Sequence, residues 1–221
     1  MFIWNGISSE DMAVKVISLP PVSLSEENTN EIEIEGRDGS LTEMLGYKTT
    51  TKQVEADYLG EDKYSILNWL RGSGEVVFGN DENFYFKARI NNIIPLEQIL
   101  KDMHNFPIEF RCQPFRYFIS GKRKINITSS GIILNNFGNK EALPYIKIYG
   151  SGNITVNING RAFTISNLEN SIGIISEIQE CEEGKGDLMD GKFPYFDIGK
   201  NTLTYSGNVT KIEVTPNWRC L

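Results

Sequence analysis

With one histidine in 221 residues, the chain has few candidates for acid–base or nucleophilic catalysis. His104 stands without Cys, Asp or Glu at metal-ligand spacing and reads as a surface or turn residue. The three cysteines, Cys112, Cys181 and Cys220, are odd in number and far apart, so they read as reduced packing residues, not a disulfide framework. The opening MFIWNGISSEDM has no basic start, no apolar run of signal length and no small-residue cleavage site, so no export signal is expected. No run approaches ~18 apolar residues, so no membrane insertion is expected. Lysine plus arginine number 22 against 29 acids, a net charge of −7, which disfavours nonspecific nucleic-acid binding. Three glycosylation sequons begin at Asn126, Asn153 and Asn208, and without export they are expected as strand residues with outward polar side chains. No Gly-x-Ser-x-Gly elbow, HExxH, phosphate loop or Cys/His pair at family spacing occurs. The glycines of Trp69-Leu-Arg-Gly-Ser-Gly74 precede a strand, so they fail the dinucleotide context. Carboxylate runs at Glu31/Glu33/Glu35, Glu180/Glu182/Glu183 and Asp187/Asp190 read as solvated faces and loops, and none has the Asp-x-Asp-x-Asp-Gly pattern of a calcium loop. No catalytic residue, metal or cofactor is expected.

Apolar residues make up 40% and aromatics 11% of the chain, enough for a packed core and too many for disorder. The pattern is mainly β, with one short helix. Tyr64, Leu67, Trp69 and Leu70 put apolar bulk on a two-turn helix that Gly72 and Gly74 stop. Val76–Phe78, an Asn80–Asn83 turn and a long strand Phe84–Ile94 follow. Upstream, Phe2–Trp4 and Met12–Ser18 are short apolar runs able to pair, and Pro20-Pro21 ends the second. Glu31–Glu35 alternates strictly, with its carboxylates toward water. Arg37–Ser40 turns, and Tyr47–Leu59 is a second extended segment, so the two make a long polar hairpin. Such a hairpin gives a core little and makes sense as an arm that docks on another subunit. Its expected interface residues are Ile32, Ile34, Tyr47, Thr49, Val54 and Tyr58. Leu96–Asn105 fits either a helical turn or a strand continuing past Pro95.

Near Ser120 the character changes, dividing the chain into 1–120 and 121–221. The second half is rich in Asn, Ile and Gly, with short strands at sandwich spacing. Pro144–Tyr149 is one strand. Ile154, Val156 and Ile158 alternate inward along the next, Asn159-Gly160 makes a type I′ turn, and Ala162–Ile165 returns. Ile172–Glu177, a charged loop from Glu180 to Lys192, and strands at Phe193–Ile198, Leu203–Tyr205 and Val209–Val214 complete it. Trp218 is expected to plug the core.

The ordered set Trp69-Leu70-Arg71-Gly72-Ser73-Gly74, Phe84-Tyr85-Phe86-Lys87-Ala88-Arg89-Ile90 and Phe110-Arg111-Cys112-Gln113-Pro114-Phe115-Arg116-Tyr117 resembles the distal tail protein (Dit) family of long-tailed bacteriophages. Pro144–Asn153, Gly199-Lys200-Asn201 and Pro216-Asn217-Trp218-Arg219-Cys220-Leu221 extend the resemblance over nearly the whole chain. It implies an N-terminal β-rich ring-forming domain and a C-terminal galectin-like β-sandwich. By the same resemblance the protein is a structural virion component at the tail tip, made in the host bacterial cytoplasm and not an enzyme. Six copies would form a ring joining the tail tube protein to the tail-associated hub protein, with tape-measure and receptor-binding proteins as further partners and DNA only in transit through the lumen. Galectins bind sugar with a His, an Asn and an Arg, and the C-terminal half has no His. The sandwich is therefore expected as a docking platform, with a carbohydrate-binding module for host cell-wall polysaccharide as the alternative.

Overall fold

The computed structural model describes residues 1–36, 38–90, 97–100 and 103–221, with the side chains of all of these except residues 63, 97–100, 103 and 104. It divides into two compact units, Met1–Arg116 with Leu221, and Tyr117–Cys220. Each has its own apolar core.

The first unit contains β1 (Phe2–Trp4), β2 (Ile7–Ser8), β3 (Val14–Ser18), β4 (Glu27–Glu33), β5 (Ser40–Tyr47), β6 (Thr50–Tyr58), α1 (Lys63–Trp69), β7 (Gly72–Phe78), β8 (Phe84–Ile90), β9 (Glu97–Leu100) and most of β10 (Met103–Phe118). Its body is one sheet in the order β2-β1-β7-β8-β10-β6-β3, with β9 paired to the start of β10. Phe106, Ile108, Phe110 and Cys112 alternate along β10 and are fully buried, which makes this strand the spine of the core. Phe110 lies at the centre of an aromatic cluster, its ring 5.5 Å from Phe2, 5.4 Å from Trp4 and 5.7 Å from Phe78. Asp62 caps α1 by accepting from the backbone N–H groups of Tyr64 and Ser65. The helix buries Ile66 and Leu70, whereas Tyr64 is 80% exposed and Leu67 36%, so the inward face is not the one expected from Tyr64 and Leu67. Trp4 and Trp69 tie the helix to β1, each indole N–H donating to the other's carbonyl at 3.0 and 3.4 Å.

Two expectations change here. Phe2–Trp4 does not pair with Met12–Ser18: β1 lies between β2 and β7, and β3 pairs with β6 at the far end of the sheet order. The hairpin is β4 with β5, not Glu31–Glu35 with Tyr47–Leu59. The reason is burial: Val54, Ala56 and Tyr58 alternate inward, so β6 joins the core between β10 and β3 and is lost to the hairpin. Of the expected strand Phe84–Ile94, β8 forms Phe84–Ile90, and residues 91–94 lie outside the described ones. Within Leu96–Asn105 the described residues are strand; His104 pairs with Tyr58 across β6 and with Gln98 across β9, while Leu96, Lys101 and Asp102 lie outside them.

The second unit opens with a short 3₁₀ turn, Ile119–Lys122, and continues through β11 (Ile125–Ile127), β12 (Ile132–Asn136), β13 (Tyr145–Ile158), β14 (Arg161–Leu168), β15 (Ser171–Ile175), β16 (Glu180–Cys181), β17 (Met189–Gly191), β18 (Gly199–Thr215) and β19 (Arg219–Cys220). The sheet runs β11-β18-β13-β14-β17, with β12 also on β18 and β15 joining β13 to β16. The curled sheet encloses Ile146, Ile148, Ile154, Val156, Ile158, Phe163, Ile165, Phe196 and Trp218. Trp218 is 5% exposed, its ring 5.4 Å from Phe196. Asn159 and Gly160 take φ of 52° and 85°, the doubly positive pair that a two-residue hairpin turn requires, and Ile158 pairs with Arg161. Asn126, Asn153 and Asn208 are strand residues with exposed side chains.

The strands expected at Leu203–Tyr205 and Val209–Val214 are one strand, β18, which pairs with β13 across register shifts. Gly207 lets it continue: φ is +100°, and a Cβ there would meet the Asn153 carbonyl oxygen. Phe193–Ile198 is not a strand; only Phe196 bridges, to Ala142, and Pro194 has no N–H for a ladder. The charged segment Glu180–Lys192, expected as a loop, holds β16, short 3₁₀ turns within Glu182–Leu188 broken by a kink at Glu183–Lys185, and β17.

Candidate functional site

The feature left without a core of its own is the β4–β5 hairpin. Ile32 and Leu41 stand opposite each other and are 40% and 48% exposed; Ile34, Met44 and Leu45 are 44%, 50% and 57% exposed. Strand alternation puts Ile32 and Leu41 on one face of the ladder and Glu31 and Glu33 on the other, with Ile34 just past the end of β4. Residues 26–47 hold seven carboxylates and one arginine, 1 − 7 = −6, against −7 for the whole chain. The result is an amphipathic, strongly acidic ribbon with five exposed apolar side chains.

Its root is fastened. The Ser25 hydroxyl donates to the Pro114 carbonyl at 2.9 Å and lies 3.2 Å from the Thr50 hydroxyl. The Lys48 N–H donates to the Glu26 carbonyl at 2.9 Å, and the two side chains pair at 3.3 Å. Tyr47 meets Phe115 edge-on at 5.7 Å. Both ends of the ribbon are therefore held on the body sheet.

Of the expected interface residues, Ile32 and Ile34 lie on the hairpin and Tyr47 at its root. Thr49 follows β5, its hydroxyl accepting from Arg111 Nε at 3.3 Å. Val54 and Tyr58 are 0% and 4% exposed in the body core, so they leave the arm. Leu41, Met44 and Leu45 lie in Ser40–Gly46, which reads as a short link because its apolar residues fall three and four apart and do not alternate.

Under the linker into the hairpin lies Lys52, 5% exposed. Its ammonium has only long contacts, 3.5 Å to the Pro21 carbonyl and 3.5 Å to the Ser23 hydroxyl, and it sits 5.0 Å from the Phe86 ring centre. Asp81, the nearby carboxylate, is engaged by Arg116 at 3.3 Å. Burial lowers the Lys52 pKa. The charged form therefore weakens the fold below the lowered pKa, and the penalty fades as pH rises through it toward the ordinary value. Lys52→Met should raise stability by about 1–2 kcal/mol at neutral pH. Denaturant titration at two pH values checks this, with the gain expected to shrink at alkaline pH.

The acidic segment of the second unit is tied into ion pairs. Glu182 accepts from the Tyr145 hydroxyl at 2.8 Å and from Lys147 at 3.2 Å, and Glu183 pairs with Lys185 at 2.6 Å. Glu213 is held by Lys211 at 2.7 Å and Lys124 at 2.9 Å, and hydrogen bonds from these two lysines draw its carboxyl down to about 2. Among the described residues no group of three or more His, Cys, Asp or Glu could hold a metal ion, and no helix is long and apolar enough to cross a membrane. The three cysteines are free, and burial pushes the Cys112 thiol up to about 12, the inert state of a packing residue. A cavity of about 360 Å³ beside β14 is lined by Phe163, Phe193, Tyr195, Arg161 and Lys192. Arg161 lies 3.9 Å over the Tyr195 ring and pairs with Asp197 at 2.8 Å, so a cation covers one face of that ring.

No family model and no curated protein matches the sequence. Solved structures do. The Dit (gp 19.1) protein of phage SPP1, described as a paradigm of the hub adsorption apparatus in phages infecting Gram-positive bacteria, superposes with a TM-score of 0.70 at 13% identity, over 96% of this chain and 97% of that one. A chain of the phage P2 baseplate, in its activated conformation with calcium, follows with a TM-score of 0.53 at 11% identity, over 94% and 91% of the two chains. From end to end, this chain has the fold of a phage Dit protein.

Proposed function

We propose that the chain is a non-enzymatic structural protein of a phage tail tip. Six copies close head-to-tail into a ring at the distal end of the tail tube. The first unit forms the ring, with the β4–β5 hairpin as the arm that clasps the next copy; the second unit is a docking platform for receptor-binding components. The hub and tape-measure proteins are its other neighbours. The observation that carries this reading is the fold likeness over 96% of this chain and 97% of the SPP1 Dit protein, a hub component by its own description. The hairpin adds to it, since exposed aliphatic residues on a fastened ribbon suit a heterologous contact that closes by rotation. Six copies would carry 6 × −7 = −42, and carboxylates facing the lumen would keep passing DNA from the wall.

Native mass across a tenfold concentration range from roughly 10 µM, with negative-stain images, tests the ring. Six-fold rings with an open centre are expected. A persistent monomer whose tryptophan fluorescence shifts with wall polysaccharide would replace this reading with the carbohydrate-binding one.

A further inference from the structure

The cavity beside β14 lies where a strand ladder stops. β13 pairs with β14 as far as Arg161, but on the other side β17 pairs only with Phe163, Thr164 and Ile165. β17 ends at Gly191, and the chain leaves as Lys192-Phe193-Pro194-Tyr195, in which Pro194 has no N–H to extend a ladder. Arg161 and Ala162 therefore have no strand beside them on that side, and the departing segment walls a cavity of about 360 Å³. Small-ligand sites occupy about 300–1,000 Å³, so the space is large enough for one.

The lining is apolar at Ile158, Phe163, Phe193 and Pro194, all buried or half-buried, and Arg161 and Lys192 add two cations to it. The Arg161 Nη2 donates to the Tyr195 carbonyl at 3.2 Å and to the Asp197 carboxylate at 2.8 Å. Asp197 is itself held: its carboxylate accepts from Asn159 at 2.7 Å, and its N–H donates to the side chain of the buried Asn201 at 2.7 Å. The guanidinium is thus fixed in place, yet its Nε and Nη1 have no acceptor among the described residues. Lys192 is exposed and makes no ion pair among them. Two cations against one carboxylate leave 2 − 1 = +1 here, on a chain of net charge −7.

The lining selects the ligand. Phosphate is held by converging main-chain N–H groups or by several free cations. Here Pro194 has no N–H, and one of the two cations is shared with Asp197. A single carboxylate beside an apolar group matches both halves of the lining, because a guanidinium edge takes a carboxylate with good geometry while the cavity takes the apolar group. We propose that this cavity binds an extended peptide segment of a partner protein, one with an apolar side chain next to a carboxylate. The side chain packs against Phe163 and Phe193, the carboxylate meets Arg161 and Lys192, and the peptide main chain follows the free edge at Arg161–Ala162. This rests on the second unit being a docking platform and names the chemistry of what docks.

The test uses the full chain, amide NMR, and N-acetylphenylalanine as the probe, with its neutral carboxamide as the control. The acid should shift the amides of Arg161, Ala162, Phe163, Lys192, Phe193 and Tyr195 with a dissociation constant on the order of 1 mM, as suits a ligand of that size. The carboxamide should bind at least about tenfold more weakly. Lys192→Glu and Ala162→Phe, both at exposed positions, should each weaken the acid about tenfold, the first by reversing a charge and the second by filling the space, with the rest of the spectrum unchanged. Acid and carboxamide binding alike, or no shift up to about 20 mM, overturns the proposal. Tighter binding of glycerol 3-phosphate at the same amides would make this a phosphate site and overturn it too. Capture of the phage's receptor-binding protein separates the two readings. If parent and Ala162→Phe capture it equally, the platform stands on another surface and this proposal falls. If neither the parent nor the variant captures it, the platform reading falls and takes this proposal with it.

Discussion

Replacing Asn28–Gly46 by a two-glycine turn should leave a chain that folds as before and no longer assembles. The cut is placed by the root geometry: the Lys48 N–H already bonds the Glu26 carbonyl, so the ends to be joined are adjacent. Every residue of β4 and β5 is exposed or half-buried, so the core keeps its contacts. The thermal midpoint should therefore move by little, as for surface changes of about 0.5 kcal/mol. Assembly should respond very differently. The hairpin offers five exposed aliphatic side chains, and burying each even in part is worth about 1 kcal/mol, so the concentration for half-assembly should rise about 100-fold or more. Rings formed as by the parent would show that the arm is dispensable. The cut must stop at Gly46, because β6 is a core strand whose removal would unfold the first unit.

Phe110→Ala should be the most damaging single change in the first unit. Phe110 is fully buried and touches Phe2, Trp4 and Phe78 at ring separations of 5.4–5.7 Å, so truncation empties the point where β1, β7 and β10 meet. Phe-to-Ala changes at such sites cost about 3–5 kcal/mol, a large part of the roughly 5–15 kcal/mol that holds a domain. Hydrogen exchange should show the loss in the amides of β1, β7, β8 and β10. The amides of β13 and β18, which belong to the other core, should stay protected. Phe137→Ala, at a side chain 70% exposed, is the matched control and should change stability by about 0.5 kcal/mol or less. An equal loss from both variants would mean the aromatic cluster is not the keystone assigned here.

Much of the architecture was legible from local pattern. The Ile154/Val156/Ile158 alternation with Asn159-Gly160 specified a hairpin, because period two and a doubly positive turn leave one register. Glycine placement after Leu70 marked the helix end, and the odd, scattered cysteines marked packing residues. Partner choice was not legible. Tyr47–Leu59 reads as extended and Ser40–Gly46 as a short link, and nothing local says that the link supplies the partner of the Glu-Ile-Glu-Ile-Glu strand. Val54 and Tyr58 look like any strand residues until β10 is seen to supply the sheet neighbour that buries them.

The site divides the same way. Alternation alone put Ile32 and Ile34 on the polar hairpin, where both are exposed, whereas Leu41 became visible only as the residue across from Ile32. By itself the amino-acid order determined a mainly β chain with one short helix, its acidic ribbon and its single histidine, because periodicity, turn chemistry and composition are local. The tertiary structure alone decided which strands enter a core and which apolar residues remain outside one. Those outcomes depend on competition for burial between segments distant in the chain, and no local pattern records the winner.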